Sequence, residues 1–246
     1  MITISAKDSY RLTSLLMILL ILGIQWGFYK PYISQFPNFV DSTPTIHIHG
    51  ALLMGWMVLL VVQPMLIYLK KVKWHRSLGK VSWVLGPLII ISMFLVGRGS
   101  YWRGLDFLSA NPDSPFELSD LLATMVLDIR GYVTFAIFWA LAMAYRKNSS
   151  AHMRYMIGTG LLAIGPGIGR GLSNTLGFSL QAALTITDVL DLLIVGAFLG
   201  YDLIKKKDYK PNLVIFIVFL IGSILWQFDY SNFWQTFAQG YADLFY

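Results

Sequence analysis

Cysteine is absent from this chain, charge is scarce, and histidine is limited to four residues. Without cysteine there are no disulfides, thiolate metal sites, iron–sulfur clusters or cysteine nucleophiles, although the absence leaves the redox compartment open. Charged residues make up 13% of the 246 residues, about half the roughly 25% carried by soluble domains. Hydrophobic residues reach 56% and the mean hydropathy is +0.61. That balance excludes an ordinary soluble domain, a disordered chain and a nucleic-acid binder. The net charge is +6 and the pI near 9.4, but in a membrane protein the placement of charge matters more than its sum.

What the chain does have is long apolar runs. A bilayer crossing takes about 20 mainly apolar residues, and seven segments qualify: 12–29, 46–69, 78–96, 121–145, 153–172, 181–204 and 213–228. They predict an all-α, polytopic membrane bundle of seven transmembrane helices, a single integral-membrane domain over residues 1–246. The longest connection, 97–120, holds the turn-forming Asn111-Pro112-Asp113 and Ser114-Pro115. No internal repeat or low-complexity tract is present. Lys7 and Arg11 precede the first apolar run, but no small-residue cleavage site follows it, so it reads as a retained anchor.

Basic residues orient the bundle. Fourteen of the 19, from Lys7 and Arg11 through Lys70, Lys71, Lys73, Arg76, Lys80, Arg146, Lys147, Arg154, Lys205, Lys206, Lys207 and Lys210, fall on one face of the seven-span arrangement. Cytoplasmic loops are enriched in Lys and Arg, which places the N-terminus inside, the C-terminus outside, and the protein in the plasma membrane, the inner membrane of a bacterium. Its first partner is the lipid bilayer. Beyond the last span, Tyr230, Trp234, Phe237 and Tyr241 recur at helical spacing. Residues 230–246 therefore read as an aromatic segment in the outer interface, or as a docking surface for another subunit of a membrane complex.

Charges inside hydrocarbon cost on the order of 3 kcal/mol each and mark functional candidates. Asp128 and Arg130 lie in the fourth span, Asp188 and Asp191 in the sixth, and Arg98 and Arg170 at outer span ends. All six fall in the outer half. Two readings stay open: a neutralised ion-pair network that fixes packing, or a polar interior that holds a ligand, metal or proton. His49, Trp56 and Gln63, spaced by sevens, form a stripe expected to face that interior. The expected outward-facing pocket is lined by His49, Trp56, Asp128, Arg130, Arg170, Asp188 and Asp191. His47 points about 200° away from His49 on a regular helix, so the two should not share one metal ion.

His75 and His152 belong to the basic face, where such side chains bond headgroups or loop carbonyls. Coming from separate helices, they are also candidates for axial ligation of a b-type haem. Ser42-Thr43-Pro44 predicts a capped start to the second helix. Gly158, Gly160, Gly165, Gly167, Gly169 and Gly171, with Pro166 among them, predict close packing and a kink in the fifth span.

Two resemblances rest on these residues. HIHGALLMGWMVLLVVQPML from His47, WHRSLGK around His75, HMRYM from His152 and then Arg170 together resemble a bacterial family of multipass membrane proteins with HR-x-x-G and H-x-R-x-M elements. That likeness covers roughly the second to fifth spans and implies a helical membrane protein, with no activity to carry over. HIHGALLMGW alone is similar to histidine-bearing helices of haem–copper oxidase subunit I, which implies haem binding through His47 or His49; the full oxidase ligand set needs more intramembrane histidines than this chain has.

Three functional classes follow. The first is a binding or redox protein holding a small ligand or cofactor such as haem b, with His47, His49, His75 and His152 as the metal or haem candidates. The second is a hydrolase using a divalent metal on His49 with Asp128, Asp188 and Asp191. Its seven-helix count resembles the intramembrane zinc hydrolases of adiponectin-receptor and ceramidase type, whose late H-x-x-x-H element this chain lacks. The third is a transporter-like or accessory subunit without catalysis; a retinal pump is excluded by the absence of lysine within the seventh span. The sequence favours binding or redox over hydrolysis.

Overall fold

The computed structural model describes residues 6–40 and 42–246, and every extended regular element among them is helical. Six helices are long and apolar enough to cross a membrane: α1 (Ala6–Tyr29), α2 (Pro44–Tyr68), α4 (Ser82–Ala110), α5 (Leu118–Ala144), α8 (Leu180–Ile204) and α9 (Lys210–Gln227). At 1.5 Å per residue, the 25 residues of α2 extend about 37 Å, enough for a hydrocarbon core of about 30 Å. Shorter helices complete the chain: α3 (Val72–Gly79), α6 (Ser149–Leu161), α7 (Arg170–Leu176) and α10 (Asn232–Phe245).

Leu19, Leu22, Ile91, Val189, Leu193, Ile221 and Ile224 all lie exposed. An apolar exterior of this extent suits lipid rather than water. The interior holds two buried clusters. One gathers Met17, Trp56, Ile89, Phe138, Leu161, Ile164 and Val195. The other joins Tyr101, Leu121, Met125 and Val126 to Trp226, Trp234 and Tyr246.

The fifth expected span is not one helix. α6 ends at Leu161, a π-helical turn occupies Gly165–Gly169, and α7 resumes at Arg170. Pro166 has no N–H to continue the ladder, and the glycines around it tolerate the wider turn. The turn rests on α1 backbone to backbone: a Cβ on Gly27 would stand 1.9 Å from the Gly167 carbonyl oxygen, and one on Gly167 would stand 3.1 Å from the Ile24 Cα. Small residues permit this approach.

Elsewhere the elements agree with the sequence expectation in part. Thr43 caps α2 with Pro44 in its first turn, as the sequence indicates. The segment before the third span forms α3, and α4 runs on to Ala110 where the sequence reading ended a span at Val96 and placed a connection. That extension is stabilised by burial of Tyr101 in the second of the two buried clusters. α10 is a helix, but it packs back onto α5 instead of only lying in the interface. The Trp234 indole N–H donates to the Leu122 carbonyl (2.9 Å), the Gln235 amide to the Ser119 carbonyl (3.1 Å), and the Tyr132 hydroxyl to the Tyr241 hydroxyl (2.7 Å). Phe233 and Leu244 stay exposed on its other face.

α2 and α8 end alike, on lysines with left-handed backbones, Lys70 at φ 61° and Lys206 at φ 52°. In each, the next N–H reaches back five residues, Lys71 to Leu66 (2.7 Å) and Lys207 to Asp202 (2.8 Å). Glycine normally takes this position. Lys70→Gly is therefore expected to raise stability by about 1 kcal/mol, read as the midpoint of unfolding in detergent; a lower midpoint would show that the lysine side chain matters more than its backbone.

Candidate functional site

The six charged residues expected in the outer half do not form one neutralised ion-pair network. Among the described residues one ion pair forms there, Arg130 with Asp188. The guanidinium grips both carboxylate oxygens, at 3.1 and 3.0 Å, and also donates to the Gly222 carbonyl at 3.1 Å, tying α5 to α8 and α9. Asp191 lies beside this pair, 5% exposed, and its Oδ1 has no hydrogen-bond partner.

Asp128 goes elsewhere. Two residues apart on a helix, Asp128 and Arg130 point about 200° apart, so Asp128 faces α4 and α10. A Cβ built on Gly97 would sit 3.1 Å from the Asp128 Cβ and 3.0 Å from the Tyr246 hydroxyl. That hydroxyl is buried without a partner, and among the described residues Asp128 makes no hydrogen bond or ion pair. Arg170 and Arg103 act on it only at longer electrostatic range. Arg98 is committed to another acceptor, the Tyr246 main-chain oxygen, which also accepts from the Trp102 indole, both at 2.9 Å.

Arg170, the first residue after the π turn, donates to the Pro166 carbonyl (3.2 Å), stacks over the Phe28 ring at 4.9 Å and remains exposed. Its charge reaches both Asp128 and His49. The Ser92 hydroxyl donates to the Ile89 carbonyl at 2.8 Å, which makes its oxygen the acceptor for His49 Nδ1 at 3.0 Å. The proton of His49 then sits on Nδ1, and Nε2 keeps its lone pair.

The expected pocket residues thus fall into three places. Asp128, Arg170 and His49 share one electrostatic neighbourhood. Arg130, Asp188 and Asp191 make a second cluster between α5, α8 and α9. Trp56 is taken up by the apolar core: it is 1% exposed, its indole donates to the Thr159 hydroxyl at 3.0 Å, and its ring meets Phe135 edge-on at 5.3 Å. Trp56→Phe, which deletes only that buried hydrogen bond and some volume, is expected to cost about 1–2 kcal/mol in an unfolding titration, without changing the chemistry of the outer residues.

Each of the four histidines sets its Nδ1 against a different group. His47 meets the Tyr32 hydroxyl (2.5 Å), His49 meets Ser92, His75 faces the Gln63 main-chain carbonyl (3.3 Å) and His152 donates to the Ala142 carbonyl (2.8 Å). Turning the Gln63 carboxamide lets its oxygen accept from the Gly79 N–H at 3.0 Å and its nitrogen meet His75. His75 and His152 lie within electrostatic range of one another. Among the described residues no three His, Cys, Asp or Glu side chains assemble around a common point. The hydrolase ligand set of His49 with the aspartates is therefore not formed, and nothing in this arrangement supports haem or a divalent metal.

His75 carries a pH signature. Burial pushes its imidazole below the ordinary histidine value; the Gln63 carbonyl opposes that, and His152 and Arg76 add to it. A histidine held neutral by the fold binds fewer protons than in the unfolded chain. The associated stability is complete above the unfolded value near 6.5 and is lost as pH falls below it towards the lower folded value. His75→Gln is expected to flatten this acid-side loss in melting curves taken from neutral to mildly acidic pH; an unchanged slope would contradict it.

Sequence reading missed a second ion pair, at the basic end. Arg154 in α6 grips Asp202 in α8 at 2.9 and 2.7 Å, and the Asn212 amide of α9 donates to the same carboxylate at 2.7 Å. Asp202 is 2% exposed. The signal available was an acid at the end of an apolar run, next to four lysines that made it look like loop.

Two shallow depressions, of about 480 Å3 at the α4–α5 connection and 340 Å3 between α2 and α3, are lined by none of the candidate residues. Comparison of the chain with protein-family models, with curated proteins and with solved structures finds no match.

Proposed function

We propose that this chain crosses the bacterial inner membrane seven times, N-terminus inside, and holds a small ligand in its outer half, at Asp128, His49 and Arg170. The crossing count takes α6, the π turn and α7 as one broken span beside the six continuous helices. Orientation follows the basic residues, which alternate between faces only with that seventh span included.

The observation that carries the ligand reading is Asp128. It lies in a membrane-length helix about 15 Å from the outer end of α5, with no hydrogen bond or ion pair among the described residues. A packing network would have spent Arg98 or Arg170 on it; both instead donate to main-chain oxygens. Intramembrane charges left in this state mark a ligand or ion path by default. The groups offered are complementary: a carboxylate and the lone pair of His49 Nε2 accept, and the Arg170 guanidinium donates. Tyr101, Tyr132, Phe94 and Tyr246 supply aromatic surface nearby. A ligand that carries a donor and an acceptor on a flat apolar body suits this set, whether it is a cofactor or a transported molecule.

Native mass spectrometry of the detergent-purified protein tests this, with an absorption spectrum and metal analysis of the same sample. The expected result is a stoichiometric small-molecule adduct that Asp128→Asn and Arg170→Gln lose while Asp106→Asn retains it. A bare protein in every case, or an adduct indifferent to Asp128, contradicts the proposal.

A further inference from the structure

At the opposite end of the bundle the structure assigns a second site: an anionic phospholipid of the adjoining leaflet, held by its headgroup on α3 and by an acyl chain in the groove between α2 and α3. This rests on the membrane placement of the chain and not on the outer ligand site.

The groove is a depression of about 340 Å3 lined by Val62 and Leu66 of α2, Trp74 and Leu78 of α3, and Lys71 at the turn between them. Four of those five side chains are apolar or aromatic, and a free inorganic anion gains nothing from them. Trp74 is 67% exposed, a large indole standing free where α2 ends. Tryptophan in that situation belongs to the membrane–water interface, where its apolar ring meets acyl chains and its N–H meets headgroups.

The charge around the groove is of one sign. Lys70, Lys71, Lys73, Arg76 and Lys80 fall within eleven residues, and no Asp or Glu occurs between Asp41 and Asp106. Among the described residues none of the five forms an ion pair; the two pairs that exist use Arg130 and Arg154. The other titratable group on α3 is His75, which is held neutral, faces Gln63 and so turns towards α2. The left-handed Lys70 turns the chain sharply after α2, which carries α3 back beside it and sets the cationic row next to the apolar groove. Cation clusters beside a transmembrane helix bind anionic headgroups additively, and the adjoining groove adds a demand for the lipid's tail. An anionic diacyl lipid satisfies both; a zwitterionic lipid meets only the groove, and a soluble phosphate only the charges.

The test is native mass spectrometry of the full chain in detergent, titrated with phosphatidylglycerol, phosphatidylcholine and glycerol phosphate in parallel. The wild type is expected to retain phosphatidylglycerol on the order of tenfold better than phosphatidylcholine, given several cations acting together, and to ignore glycerol phosphate. Lys71→Gln/Lys73→Gln/Arg76→Gln/Lys80→Gln, all solvent-side changes, should remove the preference without lowering the unfolding midpoint. Leu66→Ala/Leu78→Ala should weaken both lipids alike. Equal retention of the two lipids by the wild type, binding of glycerol phosphate as strong as that of the lipid, or a preference that survives the fourfold variant would each overturn the assignment. Loss of the outer adduct would leave these results untouched, so the two readings fail separately.

Discussion

Arg130→Ala is expected to lower the stability of the bundle by about 3–5 kcal/mol, the range for removing one partner of a buried pair. Three acceptors depend on this guanidinium: both oxygens of Asp188 and the carbonyl of Gly222. The pair is well enclosed, at 18% and 13% side-chain exposure, and Asp191 lies beside it. Without Arg130 two carboxyl groups on one face of α8 lose the one close cation they have among the described residues, in a medium where a bare charge is expensive. Arg130→Lys should recover part of the loss, because an ammonium keeps the charge but cannot copy the two-pronged grip. Arg130→Met with Asp188→Leu should recover more, since a buried pair replaced by apolar side chains is often neutral. The measurement is denaturant or thermal unfolding in one detergent. A single Arg130→Ala variant within about 1 kcal/mol of wild type, the range of an exposed pair, would mean that the pair is solvated and does not hold α5 to α8.

Gly27→Ala should be comparably damaging for a steric reason. Its methyl would stand 1.9 Å from the Gly167 carbonyl oxygen and 2.7 Å from the carbonyl carbon. The obstacle is backbone, so no rotamer change relieves it, and α1 and the π turn must separate. Overpacking usually costs about 1–3 kcal/mol; a backbone obstacle places this substitution at or beyond the top of that range. The functional consequence follows from connectivity. Arg170 directly follows the turn and stacks on Phe28, the residue after Gly27, so separating the two elements moves Arg170 away from Asp128 and His49. Gly27→Ala should therefore reduce both the unfolding midpoint and the outer adduct. Gly50→Ala is the control: no atom lies within 4 Å of its added Cβ, and a helical Gly→Ala change should then gain about 0.5–1 kcal/mol. If Gly27→Ala behaves like Gly50→Ala, the close approach of α1 to the π turn is wrong.

The elements that sequence reading located well are those whose signal is local. A run of apolar residues declares its own length, and Thr43-Pro44 and Pro166 declare a helix start and a break from their own backbone chemistry. Positions seven apart share a helix face, and on that face of α2 Trp56 and Gln63 are buried while His49 is half-buried. The pairing of side chains from different helices was not legible. Nothing in the sequence says that Arg98 turns to the Tyr246 main-chain oxygen, that Arg154 reaches Asp202, or that the Asp128 and Arg130 neighbourhoods separate. The last could have been inferred, since i and i+2 on a helix point apart; depth alone had grouped them in one pocket. Trp56 shows the same limit, because a polar-tipped aromatic suits a pocket and a core equally until Thr159 is found opposite its N–H.

On the proposed placement, Asp128 lies in a polar site reached from the outer side. The absence of cysteine makes the decisive measurement direct, because single-cysteine variants have no background. Asp128→Cys and His49→Cys, with Ser77→Cys and Lys206→Cys as basic-end references, can be treated in intact cells with a charged, membrane-impermeant thiol reagent and again after permeabilisation. Asp128→Cys and His49→Cys are expected to react from outside in intact cells, whereas Ser77→Cys and Lys206→Cys react only once the membrane is opened. Reaction of Asp128→Cys only after permeabilisation, or in neither condition, would contradict the outward-facing site and leave Asp128 as part of a closed bundle.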